Sequence, residues 1–313
     1  MFKKITAVIL CMAMLLALSV MPASSVRYDD GMGALRSQWQ KGYGPKVSGF
    51  NIDYSYFCPD SQNPCPLMIY MGGMGNGTHD GKELNATDFP YWSSEEFQAA
   101  AVNADGMYLM ILRSPLPFYF DTCPLRAMFA AIEEFVNTHN VDRKRICLFG
   151  RCLGASGVNR LANAYPDFFS GACYFCPRTL ITPIHASRMK NMKIWLFCSF
   201  LDLYAIYPIF TLPSWLCAKI FTTDKNNIRL TSCVFAPIGG FLPNHEVYHL
   251  VEKNWTHDVE NDYVGLFTVD GFGNRVKGEA LDAIKFFTSG DYTPAGEQGQ
   301  PVQDETPGVY DPN

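Results

Sequence analysis

Between Arg145 and Gly157 the chain reads Arg145-Ile-Cys-Leu-Phe-Gly150-Arg-Cys152-Leu-Gly154-Ala-Ser-Gly157, an apolar run that breaks at one glycine and resumes with helical character beyond a second. Cys152 lies between those glycines. A side chain held on a strand-to-helix turn stands proud of the backbone, and glycines two residues to either side relieve the crowding that the turn creates. Serine is the usual residue at such a nucleophile elbow; here the pattern is G-x-C-x-G. A thiol in that place works as a thiolate paired with an imidazolium, and Arg151 and the N-terminus of the following helix both favour the thiolate. Such a nucleophile needs a base, an acid to orient the base, and donors for an oxyanion.

The glycine loop Gly72-Gly-Met-Gly75-Asn-Gly77 is the second chemical feature. It follows a short apolar run at once, and glycines there let backbone N–H groups turn toward an anion. The other readings are an ordinary glycine turn or a phosphate loop, and the latter is weak because no G-K-[ST] follows.

Elements at regular spacing must hold these groups. The continuous apolar run at 67–71 has the character of a strand buried on both faces, and 107–112, 146–149, 171–175, 193–198 and 228–235 read as further strands. Helices are predicted over 95–102, over 126–139 with Met128, Ile132, Phe135 and Val136 on one face, and over 155–165 before Pro166. Residues 47–57 alternate like an edge strand or hairpin, and residues 26–46 give no assignment. Strands alternating with helices make an α/β fold, a mostly parallel, doubly wound sheet with helices on both faces. Ligands bind such sheets beyond the C-terminal ends of the strands, where the Gly72 loop, Cys152, Asp202 and His245 all fall.

The chain of 313 residues, 48% hydrophobic and 18% charged, has material for one sizeable core. Lys3 and Lys4, an apolar run over 5–20 and small residues at Ala23 and Ser25 read as a secretory signal over 1–25, leaving a domain over 26–288 and a Gly/Pro/Gln-rich tail or linker over 289–313. An uncleaved anchor is the alternative, but the run falls short of the roughly 20 apolar residues of a spanning helix. The protein is thus expected to be secreted, with no membrane association once the signal is removed. Without the two signal lysines, 25 basic side chains become 23 against 30 acidic ones, a net charge of −7 that disfavours nucleic acid as a partner.

Cys58 and Cys65, among 11 cysteines, flank a Pro-rich loop and could pair in an oxidising compartment. Cys147, Cys173, Cys198 and Cys233 fall in apolar runs and read as small buried hydrophobes. No spacing suits zinc: the lone C-x-x-C, Cys173 to Cys176, has no second half, so no metal or cofactor is expected.

Four segments resemble the α/β-hydrolase superfamily, and within it secreted esterases similar to poly(3-hydroxybutyrate) depolymerases and feruloyl or acetylxylan esterases. In order they are Pro66-Leu-Met-Ile-Tyr-Met-Gly-Gly-Met-Gly, Val141-Asp-Arg-Lys-Arg-Ile-Cys-Leu-Phe-Gly-Arg-Cys-Leu-Gly, Ala164-Tyr-Pro-Asp-Phe-Phe-Ser-Gly-Ala and Lys193-Ile-Trp-Leu-Phe-Cys-Ser-Phe-Leu-Asp202. The chain departs from that pattern in Gly72-Gly73 for His-Gly, in Phe197-Cys-Ser-Phe-Leu-Asp202 for the F-H-G-x-x-D segment, and in Cys152 for serine. A cysteine elbow also resembles that of dienelactone hydrolase.

The resemblance implies a triad. His245 falls where the family's histidine follows the last strand and would shuttle the proton, with His249 and His257 as nearby competitors. Asp202 would fix the imidazole tautomer, or else be a turn or cap acid. The N–H of Leu153 follows from the elbow geometry as one oxyanion donor, with Gly73 or Met74 supplying the other. Tyr204, Tyr207 and Trp215 after the acid would cover the mouth of the site as a platform for an aromatic or sugar ester, or pack as an apolar helix. Sequons start at Asn76, Asn85 and Asn254, and a glycan on Asn76 would block the oxyanion loop. The expected function is hydrolysis of a small-molecule or polysaccharide ester. The alternatives are an inactive member that binds carbohydrate or a partner, and a peptidase of the same fold.

Overall fold

The computed structural model describes residues 33–73, 79, 84, 89–95, 98–99, 106–199, 208–233 and 286–288. Its strands are β1 (Gln40–Tyr43), β2 (Asp53–Phe57), β3 (Cys65–Met71), β4 (Tyr108–Leu112), β5 (Val141–Arg151), β6 (Gly171–Phe175), β7 (Lys193–Ser199) and β8 (Ile228–Cys233). Its helices are α1 (Gly33–Arg36), α2 (Phe89–Trp92), α3 (Leu125–Thr138), α4 (Leu153–Ala164), α5 (Pro183–Arg188) and α6 (Thr211–Phe221).

Among the described residues the strands form one eight-stranded sheet in the order β1-β2-β4-β3-β5-β6-β7-β8. β1 and β2 run antiparallel to their neighbours, and every pairing from β4 to β8 is parallel. β3, β4 and β6 are buried at every residue, as continuous apolar runs require when both faces are covered. On one face the buried sides of α3 and α4 join Leu67, Ile69, Leu148 and Tyr174 in a common core. On the other, Trp92, Phe286 and Phe287 pack with Met68, Phe149 and Phe175. Helices thus cover both faces, as the alternation of apolar runs predicts. The four residues expected on the inner face of α3, Met128, Ile132, Phe135 and Val136, are all buried.

The structure sharpens one expectation, assigns one stretch that had none, and changes a third. The 47–57 segment is not one strand: Val47 and Phe50 bridge each other across a turn in which Ser48 and Gly49 both have positive φ, and only Asp53–Phe57 joins the sheet. Its antiparallel partner, β1, lies in the stretch without a sequence assignment, because Gln40–Tyr43 is mostly exposed edge with no alternation to reveal it. Cys58 and Cys65 are both thiols, and Cys65 Sγ donates to the Asn63 carbonyl at 3.3 Å. Cys147, Cys173 and Cys198 are buried in strands as expected. The 1–25 segment, the tail over 289–313 and the three sequons lie outside the described residues.

The strand order reverses at β3. β4 pairs on one side of it and β5 on the other. Chain crossings leave in opposite directions at such a point, which opens a crevice beyond the strand ends.

Candidate active site

Cys152 leaves the end of β5 with φ 54° and ψ −111° and forms the N-cap of α4. A left-handed backbone at a residue with a side chain costs about 1–3 kcal/mol and persists where the surroundings over-determine it. Here the Cys152 N–H donates to the Phe175 carbonyl at 3.0 Å, extending the β5–β6 ladder by one bond. The flanking glycines remove the obstacles to the turn. A Cβ on Gly150 would stand 2.4 Å from the Gly154 carbonyl oxygen, and one on Gly154 would stand 1.9 Å from that of Met71. No side chain fits at either place. The G-x-C-x-G spacing is therefore a packing requirement of the turn as well as a signature of it.

Gly73, two residues beyond β3, meets Cys152. A Cβ built on it would lie 3.1 Å from Cys152 Cβ and 3.3 Å from the Arg151 carbonyl oxygen. Leu153 is the first residue of α4, so its N–H is among the four that a helix leaves without an internal partner. The structure thus brings Gly73, Cys152 and Leu153 together at the reversal of strand order. Cys152 itself is buried, with 4% exposure. Trp215 lies on α6, half-buried against the core shared with α3 and α4. Met74, Asp202, Tyr204, Tyr207, His245, His249 and His257 lie outside the described residues. β7 ends at Ser199 and β8 at Cys233, both on the edge that carries Cys152.

Two groups near the same edge escaped the sequence reading. His79 Nδ1 bonds the Ser114 carbonyl at 2.7 Å, its ring lies 4.9 Å from that of Tyr119, and its buried Nε2 has no hydrogen-bond partner. Arg113, directly beyond β4, is 9% exposed and donates to Ser55 Oγ, while its Nε stays without a partner. A basic side chain directly after a fully apolar strand was the available signal for Arg113. His79 had none, since its place depends on the course of the loop.

No protein-family model and no curated protein sequence matches the chain. Among solved structures it is similar to a thermostable esterase, with a TM-score of 0.55 and 18% identity over 67% of this chain and 59% of that one. It is also similar to an acylaminoacyl peptidase in complex with Z-Gly-Gly-Phe-chloromethyl ketone, with a TM-score of 0.50 and 12% identity over 79% of this chain and 43% of that one. The chain therefore spans less than two thirds of the length of either. Together with the strand order and the elbow, these likenesses define the α/β-hydrolase fold.

Proposed function

We propose that this protein is a secreted carboxylic ester hydrolase in which Cys152 is the nucleophile, His245 the base and Asp202 the acid that orients it. The observation that carries the reading is the left-handed Cys152 at the head of α4, with Gly73 pressed against it. In the mechanism, His245 takes the thiol proton and Cys152 Sγ attacks the ester carbonyl carbon. The carbonyl oxygen, now an oxyanion, receives the N–H of Leu153 and a second N–H from Gly73 or Met74. Collapse expels the alcohol, which takes the proton from His245, and leaves an acyl thioester on Cys152. Water, deprotonated by His245, then attacks the thioester, and the acid leaves as the thiol is restored. Tyr204, Tyr207 and Trp215 form the platform for the alcohol or acyl group, which suits acyl groups carried on polysaccharide.

A peptidase of the same fold is the second reading, supported by the likeness to the acylaminoacyl peptidase. Purified protein assayed on p-nitrophenyl acetate, methyl ferulate and an acyl-peptide anilide separates the readings. Ester turnover that disappears in Cys152→Ala and partly persists in Cys152→Ser is expected. Faster cleavage of the anilide moves the assignment to a peptidase. Turnover no greater than that of Cys152→Ala on any of the three substrates makes the chain a binding protein on this scaffold.

A further inference from the structure

The register of the sheet sets three cysteines in a row at the edge that carries the elbow. Arg151 is the Cα partner of Phe175, the last pair of the β5–β6 ladder, and Cys152 and Cys176 are the residues directly beyond it on the two strands. Phe175 is the partner of Phe197, the last pair of the β6–β7 ladder, and Cys198 is the residue directly beyond it on β7. The backbone carries the ladder to this level on both sides: Cys152 N–H donates to the Phe175 carbonyl at 3.0 Å and Cys176 N–H to the Phe197 carbonyl at 2.8 Å. Cys152 and Cys176 also share an uncommon backbone, with φ of 54° and 40°; Ser48 is the one other described non-glycine residue with positive φ. Both are buried.

Neighbouring strands lie about 4.8 Å apart, inside the roughly 4.4–6.8 Å between Cα atoms that a disulfide spans. Cys198 is two strands from Cys152, at about twice that spacing, beyond a disulfide's reach. A metal centre fits poorly, because among the described residues no group of three or more His, Cys, Asp or Glu could hold an ion. The row is linear and joins neighbours in pairs.

We infer that Cys152 and Cys176 are a redox-active thiol pair, in which a peroxide oxidises Cys152 and Cys176 resolves it into a disulfide across the ends of β5 and β6. This deepens the reading of Cys152 as the nucleophile and rests on it. The Cys152 thiolate attacks one oxygen of hydrogen peroxide, breaking the O–O bond, and leaves as a sulfenic acid with release of water. The Cys176 thiolate then attacks the sulfenic sulfur, and hydroxide leaves and takes up the Cys176 proton as a second water. Two thiols and one peroxide become one disulfide and two waters. The oxidised nucleophile cannot acylate, and a dithiol reductant returns it by exchange. The same disulfide shields the sulfur from irreversible oxidation to sulfinic and sulfonic acid.

Peptide mapping tests this without any turnover. The reduced full-length protein is treated with hydrogen peroxide, blocked with N-ethylmaleimide in denaturant, and digested without reductant. A linked peptide joining Cys152 to Cys176, lost on treatment with dithiothreitol, is the expected product. It should persist in Cys198→Ala. In Cys176→Ala and Cys176→Ser, Cys152 should pass instead to the sulfinic and sulfonic acids. The proposal is overturned if the wild type over-oxidises Cys152 without a link, or if Cys176 links to Cys198. A link in a protein without ester turnover removes the esterase reading and keeps the thiol pair, whereas turnover without a link does the reverse.

Discussion

Cys147 and Cys152 are on the same strand or at its end, five residues apart, and the sheet treats them in opposite ways. Cys147 sits at the start of the parallel run, in extended backbone, with Ser170 Oγ at 3.3 Å and the Phe287 carbonyl at 3.7 Å. Burial pushes its thiol up to about 11, against smaller downward effects of the Ser170 hydrogen bond and of Lys193 and Arg145. Cys152 sits where the strand stops, in left-handed backbone at the head of a helix, with Gly73, just beyond β3, close against it. The difference is made by backbone, not by side-chain chemistry. Both thiols are buried; what separates them is that Cys147 stays in extended strand between covered faces, whereas Cys152 stands at the strand end, at the head of α4.

The strongest way to break this comparison is to truncate both residues. Cys152→Ala should lower ester turnover by on the order of a thousandfold or more while changing stability by less than about 1 kcal/mol. Cys147→Ala should leave turnover within about threefold and reduce stability by roughly 1–2 kcal/mol, read from urea midpoints. Comparable losses of turnover from both would show that position on the strand does not divide their roles. Next, Gly154→Ala attacks the turn itself. With a Cβ only 1.9 Å from the Met71 carbonyl oxygen, the backbone must shift, and a loss of about 3 kcal/mol or more is expected by urea denaturation. A variant as stable as the parent would mean that the close approach of β3 and α4 is absent in solution.

The pH dependence sharpens the Cys147 side. Its folded thiol is raised from 9.0 to about 11, so the unfolded chain loses this proton first as pH rises. The stability it supplies is complete below about pH 9 and is lost as pH climbs toward 11, a decline of roughly 2–3 kcal/mol. Wild type and Cys147→Ala compared by urea unfolding from pH 8 to 11 should converge and then cross over that window, since the decline exceeds the cost of the truncation, and parallel curves would refute the assignment. The smallest effect is at the exposed start of the same strand. Asp142 holds Arg145 at 2.5 Å with both side chains 23% exposed. Asp142→Asn should cost under about 1 kcal/mol in 0.15 M salt, and less as salt is raised.

The elements that read most plainly in the sequence are those whose surroundings are uniform. β3, β4 and β6 are apolar at nearly every position because helices cover both faces, and α3 repeats its apolar residues at helical spacing because one face is buried. The elbow was legible for a different reason: Gly150 and Gly154 are demanded by contacts with backbone, so the glycines mark the turn whatever residue stands between them. β1 was not legible, since an exposed four-residue edge needs no pattern. The place of Cys176 relative to Cys152 was hidden too. It depends on the register of β5 against β6, which no local feature of either strand specifies. Read alone, Cys173 and Cys176 look like an unfinished metal motif, whereas the register sets Cys176 directly beyond the Arg151–Phe175 pair that Cys152 also follows.

The reversal of strand order at β3 also sets when the site can exist during folding. β3 pairs on one side with β5, so residues 65–71 wait for residues 141–151 before the middle of the sheet closes. The Cys152 N–H waits further, for the carbonyl of Phe175. Pairings between parallel strands so distant in sequence form slowly, because loop closure precedes any gain from contact. On a growing chain that emerges at about 5–20 residues per second, Cys152 is an ordinary thiol for seconds before β6 follows it. Its left-handed backbone is imposed by late partners, and Cys152 is among the last parts of the sheet to take shape.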